Sequence, residues 1–160
     1  MWGISFLPMS IRDFAFKLVN NKLIFNANLS HFSINITDPS CTLCRLSLQL
    51  PSPKETVSHF YLHCPTNMKV MEEYFNPFLH NKGIQWDNCF CLLGAPSNLP
   101  FYMSLIINTE SILAAYFLFE CKKKKLIPLS RNLIKFNNLY RNTFLKFPKY
   151  IKSWTKWNSL

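Results

Sequence analysis

The chain has 160 residues, 49% of them hydrophobic, which suffices for one buried core and limits it to one domain, or to one small domain and a tail. Only 3 residues are Gly, and neither G-x-x-x-x-G-K-[ST] nor G-x-G-x-x-G occurs, so glycine loops that cradle phosphates are excluded. The net charge of +10 is confined to the last quarter: residues 1–120 carry 7 Lys/Arg and 8 Asp/Glu, whereas residues 121–160 carry 11 Lys/Arg and no acid. A block of one sign repels itself unless a polyanion or solvent screens it, and nucleic acid or an anionic surface is its natural partner.

From the N-terminus, residues 8–29 read as a helical hairpin. Ser10 is placed to cap its first helix, with Asp13 as an answering acid. Ile11, Phe14 and Leu18, then Leu23 and Ile24, recur at near-helical spacing, and Asn20-Asn21 breaks the pattern. Asp38-Pro39 signals a turn ahead of Cys41-Thr-Leu-Cys44. Leu46 to Leu50 alternates as a short strand would, and Pro51-Ser-Pro53 reads as loop. Pro65 should end whatever element carries Cys64.

Residues 66–80 read as a helix capped by Thr66, with Met68, Met71 and Phe75, together with Val70, Tyr74 and Phe78, on its apolar stripe and a kink or end at Pro77. Trp86 to Leu93 is a short apolar run of undecided type. Residues 99–121 form the longest apolar helix. Its run from Phe101 to Phe119 ends at Lys122-Lys-Lys-Lys125, a pairing also compatible with one membrane span. Asn108, Thr109, Glu110 and Ser111 stand at its centre, and one mid-membrane acid costs about 2.5–3.5 kcal/mol. A water-soluble core helix, with those four residues as an exposed patch, is therefore expected. Residues 129–147 read as a basic, aromatic helix capped by Ser130, and the tail from Pro148 onwards as loose.

Cys41, Cys44, His59 and Cys64 form the pattern C-x2-C-x14-H-x4-C, three thiols and an imidazole, the ligand set of one closed tetrahedral Zn2+ site. A closed site leaves no position for a reacting water, so it points to a structural metal and away from an enzyme. His63 lies four residues after His59 and is an alternative imidazole ligand. Cys89, Cys91 and Cys121 read as core residues. Met1 is not followed by a basic start and an apolar run, so an intracellular protein, nuclear or cytoplasmic and not secreted, is expected.

Ser10-Ile-Arg-Asp-Phe-Ala-Phe-Lys-Leu18, Cys41-Thr-Leu-Cys44 and Glu55-Thr-Val-Ser-His-Phe-Tyr-Leu-His-Cys-Pro65 together resemble the CCHC zinc-binding region C-terminal to the polymerase in non-LTR (LINE-type) retrotransposon reverse transcriptases. The resemblance covers roughly residues 8–80, and Glu55-Thr56 and Cys64-Pro65 are its most specific marks. It implies Cys41, Cys44, His59 and Cys64 as ligands. The gap between Cys44 and His59 is longer than in compact versions of this knuckle. The polymerase is missing: no Tyr/Phe-x-Asp-Asp occurs, and Glu72-Glu73, the one adjacent acid pair, faces apart on a helix.

The expected fold is mostly α, a small helical domain stapled by one structural zinc knuckle with little or no sheet. Residues 8–121 would form the zinc-binding domain, with the knuckle at 38–65, and residues 122–160 a basic, aromatic C-terminal helix and tail. The expected function is non-catalytic nucleic-acid binding, RNA or DNA, as a remnant or fragment of such an element whose reverse transcriptase body is supplied separately. Lys122, Lys123, Lys124, Lys125, Arg131, Lys135, Arg141 and Lys146 would contact phosphates. No small-molecule substrate and no membrane partner are expected. The rival readings are a protein–protein scaffold and a single-span membrane protein through 101–119. Salt-dependent binding separates the first from nucleic-acid binding.

Overall fold

A computed structural model describes residues 5–32, 38–47 and 51–159, with the backbone alone for residues 30–32. Among the described residues, eight α-helices and one π-helical turn follow in order: α1 Met9–Val19, α2 Asn26–Phe32, α3 Thr42–Leu46, the π turn His59–His63, α4 Pro65–His80, α5 Phe90–Leu93, α6 Phe101–Lys123, α7 Ser130–Phe144 and α8 Pro148–Asn158. No strand occurs among the described residues; Ser40 and Lys54 form one isolated antiparallel bridge. The fold is mostly α, as the sequence predicts. The strand expected at Leu46–Leu50 is replaced at Leu46 by the end of α3, and residues 48–50 lie outside the described residues.

The long helix α6 is apolar nearly all round, and a helix of that kind must be enclosed. Leu105, Ile106, Ile107, Ile112, Leu113, Ala114, Ala115 and Leu118 are each 2% exposed or less. The helix is long and apolar enough to cross a membrane, and 67% of its most apolar window is buried within the fold. Helices α1, α5, α7 and α8 pack on it. Its C-terminus closes on Lys125 in the left-handed region (φ 55°), where Leu126 N–H donates to Cys121 C=O at 2.9 Å.

Three expectations at helix ends and one at the C-terminus are corrected. Ser10, Thr66 and Ser130 are not caps: those positions fall to Pro8, Cys64 and Leu129, and no side-chain cap bond is made. Fixed φ explains the first two, since Pro8 and Pro65 set the helical entry by themselves. The Asn20-Asn21 break is present and has a mechanism. Asn21 takes φ 52°, and Lys22 N–H donates to Lys17 C=O at 2.7 Å, a left-handed helix closure.

The region from Pro148 onwards is not a loose tail. Tyr150, Ser153 and Trp157, spaced i, i+3, i+7, are 5% exposed or less and form the buried stripe of α8. Trp157 stacks on Phe78 with centroids 4.9 Å apart, and Phe6 packs on Phe144 and Tyr150 at 5.3 and 5.2 Å. Residues Leu7 to Trp157 contribute to one continuous core, so the described part of the last quarter, 122–159, belongs to the same globule and is not an appendage.

Of the expected exposed patch at 108–111, Asn108 is half-buried and the other three residues are inside. Thr109, Glu110 and Ser111 are each 0% exposed. Tyr74 Oη and Asn137 Nδ2 donate to Glu110 Oε2 at 2.5 and 3.0 Å, and Tyr150 Oη donates to Oε1 at 3.4 Å. Arg141 Nη2 lies 3.1 Å from Oε1. One carboxylate thus joins α4, α6, α7 and α8. A buried charge survives only when paired and hydrogen-bonded, and here four side chains do both. Burial and the nearby Glu110 charge hold Tyr74 and Tyr150 above the ordinary phenol range, so both stay protonated donors.

Candidate metal centre and the basic surface

The four-residue set begins on a clamped loop. Glu55 N–H donates to Pro39 C=O and Cys41 N–H to Pro53 C=O, both at 2.8 Å, which pins 38–41 against 52–55. Ser52 Oγ adds a bond to Cys41 C=O at 3.1 Å. Asp38 accepts from Ser40 N–H at 2.8 Å and pairs with Arg45. The Ser40 hydroxyl, then the Ser40 N–H, and the Arg45 charge hold the Asp38 carboxyl below its ordinary range. The single turn of α3 then carries Cys44 round to the side of Cys41, as the C-x-x-C spacing requires.

The π turn supplies the other pair. Its i to i+5 repeat matches the separation of His59 from Cys64. Thr56 Oγ1 accepts from His59 N–H at 3.0 Å and so starts the turn. Pro65 cannot donate to Phe60 C=O, five residues earlier, and the buried Asn67 Nδ2 supplies that donor at 2.9 Å. Cys64 leaves the turn in extended backbone (φ −75°, ψ 113°), which swings its sulfur back to the other three. His63 is exposed and stands outside the cluster.

The ligand atoms of Cys41, Cys44, His59 and Cys64 all lie within 4.8 Å of one another. Cys64 Sγ is 3.9 Å from both Cys41 Sγ and Cys44 Sγ, and Cys44 Sγ is 3.3 Å from His59 Nε2. A tetrahedral ion held at about 2.3 Å by sulfur and about 2.0 Å by nitrogen gives S···S edges of roughly 3.8 Å and S···N edges of roughly 3.5 Å. The geometry therefore fits one four-coordinate metal ion. All three cysteines are 0% exposed and His59 is 8% exposed. A tetrahedral ion held by these four side chains would have every position filled by protein.

The three thiols differ in how readily they ionise. A hydrogen bond from Cys64, with backbone N–H groups of Cys44 and Leu43, pulls the Cys41 thiol well below its ordinary value. Donating that bond, together with burial, pushes Cys64 up. Burial raises Cys44. The three thiols thus share their protons unequally, with Cys41 the first thiolate, and a metal ion replaces the remaining protons when it binds.

Behind the ligands, Glu55 ties the centre to the bundle. It is 1% exposed, accepts from Asn26 N–H at 3.3 Å and lies 2.5 Å from Lys122 Nζ. Lys122 also donates to Asn26 Oδ1 at 3.2 Å and covers the Phe25 ring. The Glu55-Thr56 pair thus has two separable tasks, a buried ion pair and the start of the π turn. No feature of the local sequence links Glu55 to Lys122, 67 positions away.

The cations expected on phosphates divide in two. Lys122 and Arg141 are turned inward onto Glu55 and Glu110, and Arg141 also stacks 4.4 Å from the Trp154 ring. Both are corrections to the expected surface, because a buried carboxylate claims its nearest cation. Lys123 and Lys124 are 57% and 66% exposed and share Glu120 at 2.8 and 3.7 Å. Lys125, Arg131, Lys135 and Lys146 are exposed. Three further exposed lysines, Lys149, Lys152 and Lys156, lie on α8. The i, i+3, i+7 spacing that places them on one side was readable once 148–158 was taken as helix.

Of the remaining cysteines, Cys91 is 0% exposed and Cys121 8% exposed, both in the core. Cys89 is half-buried beside Asp87. The side chain of His31 lies outside the described residues, and His80 is exposed beside Asn81. No family model, curated protein or solved structure matches this chain.

Proposed function

We propose that the chain is a non-catalytic, zinc-stapled nucleic-acid-binding module, similar to the C-terminal region of a non-LTR retrotransposon reverse transcriptase and working beside a polymerase body supplied separately. The observation that carries this reading is the closed Cys41–Cys44–His59–Cys64 cluster, clamped through Glu55 and Lys122 to the start of the acid-free, cationic last quarter of the chain. Three thiolates with one imidazole in a tetrahedron suit Zn2+. Zinc would supply folding free energy, on the order of 10–16 kcal/mol for structural sites of this kind at neutral pH. Exposed Lys and Arg side chains with few acids beside them suit backbone contacts with little sequence readout.

The test is equilibrium binding of the metal-loaded chain to RNA and DNA oligonucleotides across a salt series. A log–log slope of several units supports the reading. Absence of binding at low salt would sink it. A scaffold reading rests on a different observation, a groove of about 410 Å3 between α3 and the 122–128 segment, rimmed by the exposed Leu46, Leu126 and Ile127. Salt-insensitive capture of a protein partner there, without nucleic-acid binding, would favour it.

A further inference from the structure

The surface where α8 meets the N-terminal turn of α6 is built differently from the rest of the basic quarter. Lys149, Lys152 and Lys156 recur at i, i+3, i+7 and are all exposed, so they share one side of α8. They flank the buried stripe Tyr150, Ser153 and Trp157, one residue before each member. The first and last of the row reach α6. Lys149 Nζ lies 4.9 Å from the Phe101 ring and Lys156 Nζ 5.7 Å from the Tyr102 ring. Phe101 nevertheless remains 61% exposed. Neither α8 nor the first turn of α6 contains an acid.

A row of lysines alone would be a solubilising face. The Phe101 ring, exposed and within reach of Lys149, is a second feature: it offers a flat apolar face that lysines alone do not supply. Phosphates attract the lysines, and a nucleobase fits the open part of the ring. Seven residues of helix span about 10 Å, enough for two to three lysines to follow successive phosphates of an extended strand. Duplex bases are stacked on each other and cannot reach the ring, so the pairing of ladder and ring selects an unpaired strand.

We infer that Lys149, Lys152, Lys156 and Phe101 form a binding track for single-stranded nucleic acid, with the lysines on the backbone and Phe101 stacked on a base. The track rests on the nucleic-acid reading above and names its place and its substrate class. Lys122 and Arg141, bound internally, have no part in it.

The test uses the full metal-loaded chain with a 12-nucleotide single strand, the matching duplex, and vesicles containing anionic phospholipid. Two variants are compared with wild type, Phe101→Leu and the triple Lys149→Gln/Lys152→Gln/Lys156→Gln; all four positions are exposed, and metal content and helicity verify folding. The triple variant should lose on the order of 10-fold or more in affinity for the single strand, with a salt slope smaller by about 2, as three lost contacts at about 0.7 each require. Phe101→Leu should keep the wild-type slope and lose on the order of 10-fold, and should lose nothing on an abasic strand. Wild-type binding unchanged in the triple variant would overturn the track and leave the general nucleic-acid reading standing. Preference for duplex, or vesicle binding that alone depends on the three lysines, would also overturn it. No binding of wild type to any oligonucleotide would sink both.

Discussion

Lys122 Nζ reaches Glu55 Oε1 at 2.5 Å, joining the C-terminal end of the central helix to the loop that carries the metal ligands. Glu55 has 2% of its side chain exposed and Lys122 18%. Removing one partner of such a pair leaves an uncompensated charge and costs about 3–5 kcal/mol. Lys122→Met should therefore lower the urea midpoint strongly, and Lys122→Met/Glu55→Leu should recover much of the loss. A single-variant effect below about 0.5 kcal/mol, the range of surface pairs, would show that the ion pair is solvent-screened.

Glu110 makes the same point deeper in the bundle. Arg141, Tyr74, Tyr150 and Asn137 all converge on its carboxylate. Tyr74→Phe removes one hydrogen bond to a charged group and should cost about 1.5–3 kcal/mol. Glu110→Ala should cost more than Tyr74→Phe, because it leaves the Arg141 guanidinium half-buried without its partner. Chemical denaturation of the two variants side by side checks the order; a smaller loss for Glu110→Ala would contradict the hub.

Helix α8 is integral to the core. Trp157→Ala removes a large, 3%-exposed side chain and should cost about 3–5 kcal/mol. A chain ending at 147 should lose cooperative unfolding altogether. If that truncated chain melts as wild type does, α8 is dispensable and the single-core description fails.

Thiol chemistry separates the six cysteines. With metal bound, Cys89 should be the first to react with an alkylating reagent, since Cys41, Cys44, Cys64, Cys91 and Cys121 are buried. The hydrogen bond to Asp87, then burial, raises the Cys89 thiol above its ordinary value, so labelling should be slow at neutral pH and accelerate as pH rises towards and past that value. Asp87→Asn lowers the thiol's pKa and should speed labelling at pH 7. Mass spectrometry of the alkylated peptides reads the order directly.

How much of this was written legibly in the chain depends on how local the signal was. The four-ligand set needs only residue type and spacing, and both lie within 24 positions of sequence. The choice of His59 over His63 needed the π turn. The long helix α6 was legible from its apolar run. Its polar centre was not, because Tyr74, Asn137, Arg141 and Tyr150 come from three other helices and no local pattern announces them. The stripe of α8 was present as i, i+3, i+7 but masked by the interleaved Lys152, Thr155 and Lys156, of a kind that solvated tails also carry. Pairing decided which cations face solvent, and pairing is a tertiary fact.

The most direct measurement is bound metal per chain, by elemental analysis of protein purified under reducing conditions, for wild type, Cys41→Ser, His59→Ala and His63→Ala. The account predicts one zinc per chain in wild type and in His63→Ala, and loss of zinc with partial unfolding in the other two. A folded wild-type chain without metal, or zinc lost from His63→Ala and retained by His59→Ala, would contradict it.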